Sequence, residues 1–230
     1  MKRYGLLSIA LAAAVTIGCN SNARNDANAA NPSSGGAVGT AGSGESKVSN
    51  GDKDFVKDLA IANTAEIELG RLAADRGANP EVKKFGQTMI DDHTKANDDL
   101  TSVASQHSIP VVNELDDNHR DLRDKLSKLQ GMEFDREYID AMVDGHEKVL
   151  DKLGSRVDKD TLDKWKTHSK DAAGNKVKTE VEAVTILPEK SDNPVTMSIN
   201  EWAAKAYPVV SAHLDSAKTI KDTLKKRSTN

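Results

Sequence analysis

The chain has 230 residues, of which 30% are charged, 37% hydrophobic and only 3% aromatic, and its formal net charge is -4. This length allows one modest domain plus unfolded segments, and abundant Ala, Leu, Asp and Lys favour helices over sheet. Because lysines are interleaved with acids throughout, the chain lacks the basic stripe that a phosphate backbone requires, which argues against nucleic acid as a partner.

The first nineteen residues have the layout of a secretory signal peptide. Lys2 and Arg3 give a basic start, residues 6–17 form an apolar run, and Gly18 precedes Cys19. The apolar run is too short for a permanent membrane-spanning helix. Residues 1–19 are therefore predicted to be a signal peptide segment that ends at Cys19.

Cys19 is the only cysteine, so no intramolecular disulfide can form. Its place directly after the apolar run resembles the lipobox of bacterial lipoproteins, with Thr16 as a departure where Leu is usual. The resemblance implies lipidation at Cys19 and attachment to a membrane through the lipid, and Asn20 in the next position implies an outer-membrane lipoprotein facing the periplasm. The alternative is a plain cleaved signal and a secreted or soluble periplasmic protein. The sequence indicates neither protein partners nor an oligomeric state.

Residues 20–51 are rich in Asn, Ser, Ala and Gly and contain almost nothing to bury. Such a segment cannot offset its ordering entropy, so it is predicted to be a disordered tether. Random-coil scaling places its two ends roughly 30 Å apart. The folded domain is predicted over residues 52–226.

Apolar residues at helical spacing predict four long helices and one shorter helix in this domain. The predicted helices cover about 52–76, 80–107, 115–129 (the shorter one), 135–156 and a last helix from Ser198. The motif "SINE" predicts a capping box of Ser198 and Glu201, and Pro208 predicts a kink or a tight first half. An insertion at about 166–197, as helix extension or small hairpin, precedes the last helix. The expected fold is an all-α, four-helix bundle.

Each long helix carries one ionisable residue near the middle of its apolar stripe: Glu66, His93, His146 and His213. A single histidine on an apolar face is more often a satisfied core residue than a ligand. Four such groups at similar heights can converge in an antiparallel bundle, since bundle sites are built from inward side chains on facing helices. We therefore expect a polar cluster that is either closed by hydrogen bonds or occupied by a metal ion.

The segments "DFVKDLAIANTAEIELGRLA", "VKKFGQTMIDDHTKANDDL", "LQGMEFDREYIDAMVDGHEKVL" and "YPVVSAHLDSAK" resemble the motifs of the domain-of-unknown-function 4142 family, over about residues 52–224 apart from the insertion. The motif residues are Asp92, His93, Phe134, Asp135, Tyr138, His146, Pro208 and His213. The resemblance implies a ferritin-like bundle and a secreted or envelope location. It brings no established biochemical role.

A ferritin-like di-iron centre needs a glutamate three residues before its histidines. Ile90 and Val210 occupy those positions, so a redox enzyme of that class is disfavoured. A single transition metal is chemically easier, because three imidazoles and one carboxylate suit zinc, copper or iron. The candidate ligands are Glu66, His93, His146 and His213. Met89 and Met142, four residues before stripe histidines, are weak candidates whose simpler interpretation is core packing.

Hydrolytic and phosphate-binding functions have no support, since the serines near histidines lack an orienting acid and the glycine-rich segment lies in the tether. The favoured interpretation is a lipid-anchored helical-bundle protein of the cell envelope without catalytic activity, acting in stress protection or envelope interaction. The alternative is a transition-metal-binding bundle.

Overall fold

The computed structural model describes residues 47–169 and 184–228. All regular secondary structure in these two stretches is helical, apart from two isolated β-bridges. The helices are α1 (Asn50–Arg76), α2 (Pro80–Gln106), α3 (Asp117–Leu126), α4 (Gly131–Gly154), α5 (Lys159–His168) and α6 (Pro194–Ser228). The all-α prediction is confirmed.

The start of α1 and the turn into α2 are fixed by side chains that accept hydrogen bonds from free backbone N–H groups. Ser49 caps α1 by accepting from the Asp52 amide, and Asn79 caps α2, whose first residue is a proline. Asp135 of α4 accepts from the amides of Ala78 and Asn79, at 2.9 and 2.8 Å. This carboxylate therefore ties the α1–α2 turn to α4.

Helix α1 packs mainly on α2, and α4 packs mainly on α6, with further contacts between α2 and α6 and between α1 and α4. At the α1–α2 crossing, a Cβ built on either Gly70 or Gly86 would lie 2.7 Å from the carbonyl oxygen of the other. Only glycines allow the two backbones to approach so closely.

Apolar side chains form two core clusters that divide at the level of the stripe histidines. One cluster contains Leu59, Leu100 and Leu153, and the other contains Met89 and Met142. On α2, His93 lies between Met89 and Leu100, and on α4, His146 lies between Met142 and Leu153. A layer of buried polar residues therefore separates the two halves of the core.

Helix α6 begins at Pro194, four residues before the predicted start. Asn193 accepts a hydrogen bond from the Val195 amide at 3.0 Å, while Ser198 lies inside the helix and donates to the Pro194 carbonyl. The predicted capping box at Ser198 is therefore wrong. Pro208 lies within an uninterrupted helix.

The other differences concern helix boundaries and the insertion. Helix α4 begins at Gly131, four residues earlier than predicted, and α5 occupies Lys159–His168, a segment for which no separate helix was predicted. The flanks of the predicted insertion, 166–168 and 194–197, are helical.

Several predictions fall wholly or partly on residues that are not described. The signal peptide with Cys19, tether residues 20–46 and insertion residues 170–183 all lie outside the described residues. None of the described helices combines the length and the apolar character that crossing a membrane requires.

Candidate metal centre

Three of the predicted site residues meet in the middle of the bundle. His93 from α2, His146 from α4 and His213 from α6 have ring centroids 5.3 to 5.7 Å apart. Their exposed fractions are 5%, 1% and 5%, so all three rings are buried. We call these residues the histidine triad.

One ring nitrogen of each triad histidine hydrogen bonds to an oxygen acceptor. Nδ1 of His93 donates to Oδ1 of Asn63 at 2.9 Å, and Nδ1 of His146 donates to the Met142 carbonyl at 2.8 Å. Nε2 of His213 donates to the Asp92 carboxylate at 2.8 Å. Because each acceptor requires an N–H, these bonds select the tautomer of each neutral ring.

In the neutral form of a ring bonded in this way, the other nitrogen carries a lone pair. These nitrogens, Nε2 of His93, Nε2 of His146 and Nδ1 of His213, are buried and find no hydrogen-bond partner among the described residues. The three residues can each offer one nitrogen such that all three nitrogens lie within 4.8 Å of one another. The triad is therefore a group that could hold a metal ion.

Burial favours the neutral, ligand-competent form of two of these rings. It lowers the pKa of His93 well below its usual value, and the neighbouring His146 and His213 lower it further. Burial also lowers the pKa of His213, although the hydrogen bond to Asp92 opposes this shift. Both rings are accordingly uncharged near neutral pH.

Glu66 is buried beside the triad, but on the outer side of His146. Its Oε1 lies 3.6 Å from Nδ1 of His146, the nitrogen that is bonded to the Met142 carbonyl. Burial raises the pKa of Glu66, with partial opposition from His146 and His119. The group of potential ligands that the structure brings together contains the three histidines without Glu66, so a role for Glu66 as a ligand stays a prediction.

The Tyr138 phenol lies near Glu66 and interacts with it electrostatically. The phenol is fully buried, and burial together with Glu66 raises its pKa well above the usual value. The Tyr138 hydroxyl and Oε2 of Glu66 are both buried without a hydrogen-bond partner among the described residues. The region next to the triad is thus polar but incompletely paired.

Met89 and Met142 are buried in the apolar cluster that also contains Phe85 and Leu69. Met142 contacts the triad through its backbone carbonyl, which accepts the His146 hydrogen bond. This placement agrees with core packing, and coordination by either thioether stays a prediction.

A groove between α2 and α6 leads to one side of the triad. It has a volume of about 660 Å³ and is lined by those two helices, with contributions from α1 and α4. His93 and His213 line it, whereas His146 does not. Asp92, whose side chain is 46% exposed, lies in the same lining. Asn63, the acceptor for His93, lines the groove as well. The groove therefore contains the acceptors for the outer nitrogens of His93 and His213.

These observations define an all-α helical bundle with a buried three-histidine cluster. The chain belongs to the family described as "Domain of unknown function (DUF4142)", whose model matches residues 37–168. His93 and His146 lie within the matched range, whereas α6 with His213 lies beyond it. A search of the curated proteins and a search of the solved structures each gave no match.

Sequence reasoning missed the partners that orient the triad. Asn63 lies three residues before Glu66, so its place on the same helical face was the available signal. Asp92 is adjacent to His93 in sequence, yet its carboxylate accepts from His213 on another helix. That pairing depends on the rotation of α2 relative to α6, for which the sequence carries no signal.

Proposed function

We propose that this protein binds one transition-metal ion through Nε2 of His93, Nε2 of His146 and Nδ1 of His213. The main support for the proposal is the hydrogen-bonding pattern of the ring nitrogens in the histidine triad. Each has one nitrogen donating to an oxygen acceptor and one unpaired nitrogen in the buried cluster. In metal sites, a ligating histidine almost always donates its other N–H to a carboxylate, a carbonyl or water in this way.

A purely structural cluster is the competing explanation. A buried polar atom that stays without a partner costs roughly 1 to 3 kcal/mol, so three of them would cost several kcal/mol in the same small region unless water or an ion pairs with them. A hydrogen bond needs a donor, so these three nitrogens cannot pair with one another while each of them carries a lone pair. A bound cation satisfies all three at once.

The geometry is compatible with coordination after a modest ring movement. Metal–nitrogen distances of about 2.0 to 2.1 Å place tetrahedral ligand nitrogens about 3.4 Å apart. The potential ligand nitrogens lie within 4.8 Å of one another. Small rotations of the three rings about their side-chain bonds would close this difference. Three neutral imidazoles suit zinc, copper or iron.

The test is metal stoichiometry of the untagged full-length protein. We expect one equivalent of Zn²⁺ or Cu²⁺ per chain after loading and desalting, and its loss in His213→Gln. The matched control is His168→Gln, because His168 is an exposed histidine outside the triad. It should retain full stoichiometry.

A second variant separates a metal site from a structural cluster. His93→Leu replaces a buried ring, one nitrogen of which is unpaired, by an apolar side chain, and such a replacement is often neutral or stabilising in a polar cluster. If the triad binds metal, this variant should fold, bind no metal and lose the metal-dependent rise in melting temperature. Absence of stoichiometric metal in the wild type, or equal binding by both proteins, would refute the proposal.

We further propose that the protein is anchored to the cell envelope through a lipid on Cys19. The support is the sequence alone: the basic start, the apolar run and the position of the single cysteine. More than one acyl chain gives stable anchoring, since each buried methylene contributes about 0.8 kcal/mol. In this location the bundle would act in metal buffering or protection against metal stress, without catalysis.

Cys19→Ser tests the anchor. The variant should leave the membrane fraction as a soluble protein or retain its uncleaved signal, while the wild type should carry the mass of the lipid. A wild-type protein that lacks the lipid mass, together with unchanged fractionation of the variant, would exclude the anchor and favour a secreted or periplasmic soluble protein.

A further inference from the structure

The groove between α2 and α6 is long as well as deep. Its lining runs from Asp92 to Gln106 on α2 and from Ser198 to His213 on α6. At 1.5 Å per helical residue, this makes the groove about 20 Å long. It therefore extends from the level of the triad to the end of the bundle where α6 begins.

The apolar lining residues form one stripe on each wall and continue across the base of the groove. They include Ala96 and Val103 on α2, Trp202 and Ala206 on α6, Leu59 on α1 and Leu153 on α4. Within each wall these residues are seven or four positions apart, so they lie on the same side of their helix. The groove therefore has a continuous apolar floor.

Charged residues form a separate stripe along each rim. On α2, Lys95 and Asp99 are four residues apart and pair with each other, and on α6, Glu201 and Lys205 have the same spacing. All four side chains are exposed. The two lysines balance the two acids, and the Asp92 carboxylate at the triad end is already hydrogen-bonded to a ring. The rims therefore offer partners to both signs of charge.

The size of the groove and the chemistry of its walls discriminate among possible occupants. Its volume of about 660 Å³ falls in the range of small-molecule sites. A helix of the same length and about 10 Å wide would fill about 1,600 Å³, so only part of a helix could enter. An extended peptide would bring N–H and C=O groups that need partners, whereas the backbone groups of helical walls are already hydrogen-bonded within each helix. An acyl chain is narrow and has no polar groups to satisfy.

We propose that the α2–α6 groove binds one monoacyl lipid, with its acyl chain along the apolar floor and a zwitterionic head group between the charged rims. A head group that carries both charges can pair with lysines and acids on the two walls. This site is separate from the proposed metal site and does not depend on metal binding by the triad.

The probe is palmitoyl-lysophosphatidylcholine, used below its micelle-forming concentration. The full-length chain carries Cys19→Ser, so that no lipid is attached to it, and calorimetry should show one equivalent bound per chain. Ala206→Phe fills the floor and should weaken the affinity roughly tenfold or more. Ala212→Phe is the matched control, since Ala212 is exposed on the same helix but lies outside the groove lining. It should bind like the parent chain.

A second readout locates the bound chain. Trp165→Phe leaves Trp202 as the only tryptophan, and Trp202 is 7% exposed and lines the groove. Lysophosphatidylcholine with bromine on its acyl chain should then quench the tryptophan fluorescence in parallel with binding. If Ala206→Phe fails to fold, Ala96→Phe narrows the groove from the opposite wall and should weaken binding to the same extent.

Two other probes test the two parts of the ligand separately. An acyl chain with four fewer methylenes should bind roughly tenfold or more weakly, because each buried methylene favours binding. Palmitate, which has the same chain length but only a negative head group, should also bind more weakly than the zwitterionic lipid.

The outcomes decide the proposal without reference to metal stoichiometry. Absence of saturable binding, absence of Trp202 quenching, or equal weakening by Ala206→Phe and Ala212→Phe overturns the lipid site. Equal affinity for the shorter chain overturns the role of the floor, and equal affinity for palmitate overturns the role of the rims. A dimer that Ala206→Phe dissociates and the lipid leaves intact would assign the groove to a second copy of this chain and overturn the proposal.

Discussion

An ion pair between the buried Asp52 and the partly buried Arg156 offers a quantitative test of how this bundle is stabilised. Arg156, just beyond α4, donates to the Asp52 carboxylate at 2.7 Å and to the Gly51 carbonyl at 2.9 Å. Its guanidinium carbon also lies 4.6 Å from the centre of the Phe55 ring. We expect Arg156→Met to destabilise the protein strongly, because Asp52 is only 1% exposed and would lose its cation.

The size of the effect follows from what Asp52 retains. Removing one partner of a buried ion pair typically costs about 3 to 5 kcal/mol. Asp52 also accepts hydrogen bonds from the hydroxyls of Ser49 and Thr196, at 2.7 and 2.8 Å, and these remain in the variant. We therefore expect the lower end of this range, about 3 kcal/mol.

Lys152→Met is the matched control. Lys152 pairs with Asp58 one turn before Arg156, but the two side chains are 40% and 46% exposed. Pairs of this kind contribute about 0 to 1 kcal/mol. Urea denaturation of both variants at neutral pH measures the difference. Equal costs for the two substitutions would refute the argument that burial makes the Arg156 pair more important.

The Asp52–Arg156 pair should also make the stability of the protein depend on pH in a defined direction. Burial raises the pKa of Asp52, but the hydrogen bonds from Ser49, Arg156 and Thr196 outweigh burial and lower the pKa below its usual value. The resulting stability is present above the unfolded-state pKa of about 4 and is lost as the pH falls through the lower folded-state pKa. Arg156→Met should reduce this acid sensitivity.

Two further predictions concern the triad and the helix crossing. With a chelator present to remove metal, the free energy of unfolding should decrease below about pH 6.5. His93 then binds a proton in the unfolded chain but not in the folded protein, where burial lowers its pKa. The slope is up to about 1.4 kcal/mol per pH unit for this ring. Urea midpoints at about pH 7.5 and about pH 5.5 measure it, and an identical pH dependence in His93→Leu would contradict this assignment. Gly86→Ala should cost about 1 to 3 kcal/mol by forcing α1 and α2 apart, as its Cβ would lie 2.7 Å from the Gly70 carbonyl oxygen. Thermal unfolding against Gly51→Ala, whose Cβ meets nothing closer than 3.8 Å, checks this, and equal melting temperatures would contradict it.

The helical stripes were predictable because burial of one face imposes a period that survives in the sequence. Phe85, Met89 and His93 all lie in the buried interior, as their spacing indicates. The start of α6 was predicted wrongly because the sequence contains two helix-start signals, one at Asn193 and one at Ser198. The helix begins at the Asn193–Pro194 pair, because the Asn193 side chain caps a free amide and the φ angle of proline is already helical. Ser198 then falls inside a helix that is already formed.

The stripes also indicated that histidines would meet, but not how they would be paired. Which nitrogen faces inward depends on the rotamer of each ring and on an acceptor that another helix or turn supplies. Asn63 reaches His93 from α1, and Asp92 reaches His213 across the groove. Neither contact follows from spacing along a single helix, because each depends on the relative rotation and height of two packed helices.

The position of the triad between the two apolar clusters bears on what metal binding would do to the fold. Three of the long helices would each contribute one ligand, while α1 contributes the Asn63 acceptor that orients His93. Apolar packing on both sides holds the helices at the height where the rings meet. A metal bound there would link α2, α4 and α6, and ligand binding to the native state alone stabilises it by linkage. The melting-temperature rise on loading would then measure how strongly the three helices are coupled through the triad.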